Sequence, residues 1–120
     1  MNDKAFSLAL EVRNKPACEY ILHTLWKKPR YGLEISQIIS QSTAYNMNIS
    51  SGSIYPHLKF LEKQKMVKLF KFEEDYEKRK NHRRKYYELT EVGKDVLVTL
   101  DEIKFKLTTI EPDMVPVMSF

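Results

Sequence analysis

Ser50-Ser51-Gly52-Ser53-Ile54-Tyr55-Pro56-His57-Leu58-Lys59-Phe60-Leu61-Glu62-Lys63 carries apolar residues at 54, 58 and 61. That i, i+4, i+7 spacing winds an apolar stripe along one side of an α-helix. The hydroxyls of Ser50, Ser51 and Ser53 can accept from the amides left unpaired at a helix start, so the helix begins here. Pro56 falls in the first turns, where a missing amide donor costs least. At about 100° per residue, Ser53, Pro56, Lys59 and Lys63 point away from the stripe and Tyr55 lies at its flank. The outward face is small, hydroxylated and basic.

Two helices precede this one. Pro16 sits where a first turn tolerates it, and Ile21, Leu22, Leu25 and Trp26 follow at helical spacing, predicting a helix from Pro16 to Lys27 with Trp26 on its core side. After Pro29, Tyr31-Gly32 opens a second amphipathic segment in which Leu33, Ile35, Ile38 and Ile39 are apolar and Glu34, Gln37 and Ser40 polar. Residues 41–48 are polar and aperiodic, a loop into the third helix. Residues 4–13 hold Ala5, Phe6, Leu8, Ala9, Leu10 and Val12, too apolar for a free tail, and predict a short docking helix in an N-terminal extension, 1–13.

Downstream the period changes from helix to strand. Val67, Leu69, Phe70 and Phe72 are interleaved with Lys68, Lys71 and Glu73, and Lys85-Tyr86-Tyr87-Glu88-Leu89 is a second β-rich run. The two predict an antiparallel hairpin with a long charged tip, one of Tyr86 and Tyr87 facing the core. Thr90 caps a fourth helix whose Val96, Leu100, Ile103, Leu107 and Ile110 step by 4, 3, 4 and 3 residues, a heptad seam that Pro112 and Pro116 terminate. A helix of about five turns exceeds what the short preceding helices can cover, which favours pairing with a second copy through Val96, Leu100, Ile103 and Leu107. The expected organisation is a domain at 14–90, a dimerisation helix at 91–111 and a tail at 112–120.

Three helices followed by a hairpin describe a mainly α winged helix-turn-helix with a small antiparallel β-hairpin, extended by a C-terminal dimerisation helix. Tyr31-Gly32-Leu33-Glu34-Ile35, Ser51-Gly52-Ser53-Ile54-Tyr55-Pro56-His57-Leu58, Leu61-Glu62, Arg84-Lys85-Tyr86-Tyr87 and Leu89-Thr90-x-x-Gly93 occur in that order. Together they resemble the PadR family of transcriptional regulators over roughly residues 16–108. The resemblance implies a homodimer held by its C-terminal helix that binds operator DNA, usually as a repressor and sometimes released by a small molecule.

Charge agrees with a polyanionic partner. The net charge of +4 is local, because Lys78-Arg79-Lys80-Asn81-His82-Arg83-Arg84-Lys85 holds six cations and leaves 14 basic against 16 acidic residues elsewhere. Such a run suits phosphates, whose neutralisation releases counterions. It also follows Glu73, Glu74, Asp75 and Glu77, so a self-paired tip stands as the other reading. On the DNA reading, Ser51 and Ser53 with nearby amides hold phosphates or simply cap the helix, Tyr55 and Pro56 lie against the backbone, and Lys59 and Lys63 face the major groove or its rim. Lys78, Arg79, Lys80, Arg83, Arg84 and Lys85 of the wing reach a phosphate or the minor groove. Tyr31 reads as a half-buried tyrosine. A two-fold dimer predicts a palindromic operator with half-sites about one DNA turn apart.

Other classes find little support. His23, His57 and His82 lie in different elements without metal-ligand spacing, and neither a Gly-rich phosphate loop nor a nucleophile elbow occurs. No catalytic residues, metal or cofactor are expected. One cysteine, Cys18, excludes an internal disulfide and fits a cytoplasmic setting; no segment approaches the roughly 20 apolar residues of a membrane span. Trp26 offers a small aromatic effector a wall between the helix at 16–27 and the last helix. The alternative is a winged-helix module that binds protein or RNA without operator DNA.

Overall fold

The computed structural model describes residues 3–74 and 83–112. Five helices and three strands follow one another: α1 (Asp3–Arg13), α2 (Pro16–Thr24), β1 (Arg30–Tyr31), α3 (Gly32–Ser42), α4 (Ser51–Lys63), β2 (Val67–Glu74), β3 (Arg83–Leu89) and α5 (Glu91–Thr109). The apolar stripes named from the sequence meet in one core: Ile21 and Leu22 of α2, Ile35 and Ile39 of α3, Ile54, Leu58 and Leu61 of α4, and Val96 and Leu100 of α5, with Leu97 of α5 added to them. Helix α1 joins that core through Leu8, Ala9 and Val12 and packs along α5.

Helix α2 stops at Thr24, three residues before the predicted end. A continuing helix would offer the Thr24 carbonyl to the amide of Lys28; instead Arg30 Nε donates to it at 2.7 Å, and the chain turns into β1. Trp26 therefore leaves the helix and is 54% exposed, correcting its placement in the core.

The sheet has the order β1-β3-β2, all antiparallel. β1 is a third strand that two residues were too few to announce. Tyr87 and Leu89 face the core, while Tyr86 occupies the other side. Leu69 pairs with Tyr87 but Lys71 pairs with Tyr86, so Phe70 is an extra residue in β2, a bulge.

Two caps set the end of α4 and the start of α5. Helix α4 ends in a Schellman turn, in which the Met66 amide donates to the Leu61 carbonyl and the Lys65 amide to that of Glu62, both at 2.9 Å. Lys65 takes the left-handed position of that turn, φ 63°. The Thr90 hydroxyl accepts from the Gly93 amide at 3.1 Å and caps α5.

Candidate nucleic-acid interface

Helix α4 presents the face its sequence implies. Ser51, Gly52, Ser53, Tyr55, Pro56, Lys59 and Lys63 are all exposed, while Ile54, Leu58 and Leu61 are fully buried beneath them. Ser50 is the cap: its Oγ accepts from the Ser53 amide at 3.2 Å and donates to Ser53 Oγ at 2.9 Å. The capping duty thus falls mainly on Ser50, leaving Ser51 at the exposed first turn beside amides that precede the i→i−4 ladder. Together with the positive end of the helix dipole, these make the start of α4 suited to an anion.

Two contacts hold α4 at its angle. A Cβ built on Gly32 would stand 3.2 Å from the Tyr55 hydroxyl oxygen, so the tyrosine ring lies across the first turn of α3. Half-buried His57 meets Cys18 of α2, Nδ1 to Sγ 3.8 Å. Burial pushes the Cys18 thiol above its ordinary pKa, against the opposing pull of Lys15. The loop before α4 is pinned by Thr43, whose hydroxyl donates to Ile39 O at 2.9 Å and accepts from Met47 N at 3.0 Å. Ala44 and Tyr45 take left-handed backbone there, φ 49° and 64°, which the sequence did not signal.

The wing divides into what is described and what is not. Lys78, Arg79 and Lys80 lie outside the described residues; Arg83 starts β3, and Lys85 is exposed on it. Arg84 is packed against the sheet. Its guanidinium lies 4.9 Å above the Tyr31 ring and 3.9 Å from Glu73, its partner across the ladder. Arg84 is thus paired across the hairpin within the chain. Tyr31 is half-buried as expected, packed on Tyr86 with ring centroids 5.3 Å apart.

The heptad seam also divides. Val96 and Leu100 are 0% and 3% exposed within the subunit's own core, so they are not available to a second copy. Along α5 the core ends at Leu100. Ile103 is half-buried, and Leu107 is 80% exposed beside Ile110 and Phe6, which together line a groove of about 480 Å³. On the opposite side of α5, Val98 and Phe105 are exposed next to Trp26, a pairing that helical periodicity hides because it sets Trp26 inward. A cleft of about 420 Å³ lies beside them, with Trp26, Arg30, Leu97 and Asp101 among its walls. Among the described residues no group of three His, Cys, Asp or Glu side chains is placed to hold a metal ion, and no helix is long and apolar enough to cross a membrane.

Helices α2, α3 and α4 followed by a hairpin, with an exposed basic face on α4, define a winged helix-turn-helix regulator. The family model described as "Transcriptional regulator PadR-like family" matches residues 21–99. A relative from Lysinibacillus sphaericus, described only as an uncharacterized protein, is 34% identical over 80 residues, 67% of this chain and 70% of its own. The crystal structure of a PadR-like transcription factor from Bacteroides fragilis covers 85% of this chain and 92% of that one, with a TM-score of 0.66 and 24% identity. Bacillus subtilis PadR, solved in complex with operator DNA, shares the fold over 85% of this chain and 52% of its own, with a TM-score of 0.54 and 22% identity. The chain belongs to the PadR-like family of transcriptional regulators, which are DNA-binding proteins rather than enzymes.

Proposed function

We propose that this protein is a cytoplasmic repressor that binds a palindromic operator as a homodimer, with α4 in the major groove and the wing on the adjacent backbone. The observation that carries the reading is the outward face of α4: Ser51, Ser53, Lys59 and Lys63 exposed together at and beyond a helix N-terminus, on a helix whose buried side fixes its angle. A relative of the same fold has been solved on operator DNA, which supports this use of the face. In the dimer the second half of α5 pairs with its copy through Ile103 and Leu107, with Phe6 and Ile110 at the edge of the contact. A small aromatic effector occupies the cleft beside Trp26, where Arg30 and Asp101 offer polar contacts.

Duplex DNA titrated over a salt series tests the reading. A dimer that neutralises roughly eight phosphates loses log affinity against log salt with a slope of about −7. A flat response, or a preference for RNA of equal length, refutes it. Trp26 is the single tryptophan, so its fluorescence reports directly on aromatic ligands in the cleft.

A further inference from the structure

We infer that the outer face of the wing holds a phosphodiester-binding site that the protein occupies with its own carboxylate, Glu73, until DNA displaces it. This rests on the DNA-binding reading above and adds to it two residues that were not among the expected DNA contacts, Lys71 and Glu73. Five side chains from three strands close a ring. Glu73 lies 3.5 Å from Lys71 Nζ through one carboxylate oxygen and 3.9 Å from Arg84 through the other. Lys71 sits 4.9 Å above the Tyr86 ring, Tyr86 packs on Tyr31, and Arg84 sits 4.9 Å above Tyr31.

The bulge at Phe70 builds this ring. Up to Leu69, β2 pairs in the register that sets Leu69 opposite Tyr87; continued without the extra residue, that register would set Phe70 opposite Tyr86 and Phe72 opposite Arg84. The extra residue moves the strand by one, which turns Lys71 and Glu73 onto that face and sets them opposite Tyr86 and Arg84. Two cations are thus held over two aromatic rings, with an anion whose two oxygens span them. A phosphodiester offers two non-bridging oxygens in the same role, and hydrogen bonds to it are charge-assisted like those to a carboxylate.

The site is joined to the reading helix. Tyr31 immediately precedes α3, and its amide donates to Glu34 Oε1 at 3.3 Å; the next residue, Gly32, receives the Tyr55 ring of α4. A phosphate taken at Lys71 and Arg84 is therefore read by a platform that also supports α4. Glu73 behaves as a tethered counterion, so its charge lowers affinity for every duplex alike and leaves sequence preference unchanged.

Glu73→Gln keeps the shape and removes the charge. In 0.1 M salt one additional phosphate contact tightens binding about eightfold per engaged subunit, and the log–log salt slope steepens by about 0.9 per subunit. Lys71→Ala changes both in the opposite direction. Glu88→Gln removes the same charge from the same face of β3, and shifts affinity by less than about twofold with no change of slope, which separates local displacement from net charge. Binding by Glu73→Gln no tighter than by Glu88→Gln, or with an unaltered slope, overturns the inference while salt-dependent binding by the unmodified protein leaves the functional reading standing. Failure of the unmodified protein to bind duplex DNA overturns both.

Discussion

Gly93→Ala sets two physical effects against each other, and the structure decides the sign. Gly93 lies in the first turn of α5, where exchanging glycine for alanine in an isolated helix gains about 1 kcal/mol. Here a Cβ would stand 2.1 Å from the Met66 carbonyl oxygen and 3.1 Å from a Leu89 methyl. The oxygen belongs to backbone that also accepts from the Thr90 amide at 3.1 Å, so relief requires α5 to move away from the start of β2 by roughly an ångström. That movement loosens Val96, Leu97 and Leu100 against the core. Overpacking against side chains costs about 1–3 kcal/mol, and an unyielding backbone places this case at the upper end or beyond. After the helix gain is subtracted, the net loss is about 2–3 kcal/mol. Unfolding entropy of about 2.1 cal/mol/K per residue over 120 residues makes each kcal/mol worth about 4 °C, so the midpoint falls by about 8–12 °C. Gly52→Ala is the internal control: its Cβ meets nothing within 4 Å, and stability stays level or rises by up to about 1 kcal/mol. Thermal unfolding followed by far-ultraviolet circular dichroism reads both. A Gly93→Ala midpoint at or above that of the unmodified protein would refute the reasoning.

Four further outcomes are expected. Leu107→Asp leaves the fold intact and shifts the protein to monomer in light scattering, whereas Leu100→Asp buries a charge in the core and unfolds it; a folded monomeric Leu100→Asp contradicts the division of α5. Lys65→Gly relieves a left-handed backbone at the end of α4 and stabilises by about 0.5–1 kcal/mol in urea unfolding, and a drop in stability would count against that strain. Burial raises the Cys18 thiol and the Tyr87 phenol, the latter also through Glu62 and Tyr55, so the native state keeps protons that the unfolded chain releases above roughly pH 8.5 and 10. Stability is then full below roughly pH 8 and declines through the alkaline range, and Cys18→Ala removes the earlier part of that decline; urea midpoints at several pH values check it. Lys59→Ala and Lys63→Ala each weaken binding to all duplexes and flatten the salt slope by about 0.9 for every phosphate no longer neutralised, and unchanged slopes would remove these residues from the interface.

The local code carried most of the architecture. Apolar spacing at 54, 58 and 61, the serines before it, and Thr90 ahead of α5 each concern residues within four positions of one another, where helix geometry alone fixes which side chains share a face. The order of those elements was enough for the winged helix, and the exposed face of α4 follows from its buried one. What happens between elements, only the tertiary structure decided. Arg30 taking the Thr24 carbonyl ended α2 early and turned Trp26 outward; a single bulge at Phe70 exchanged the faces of β2 and set Glu73 against Arg84; and the packing of the other elements left the α5 stripe buried only as far as Leu100. Each of these depends on contacts between different elements, and periodicity within one element carries no information about where its partner ends.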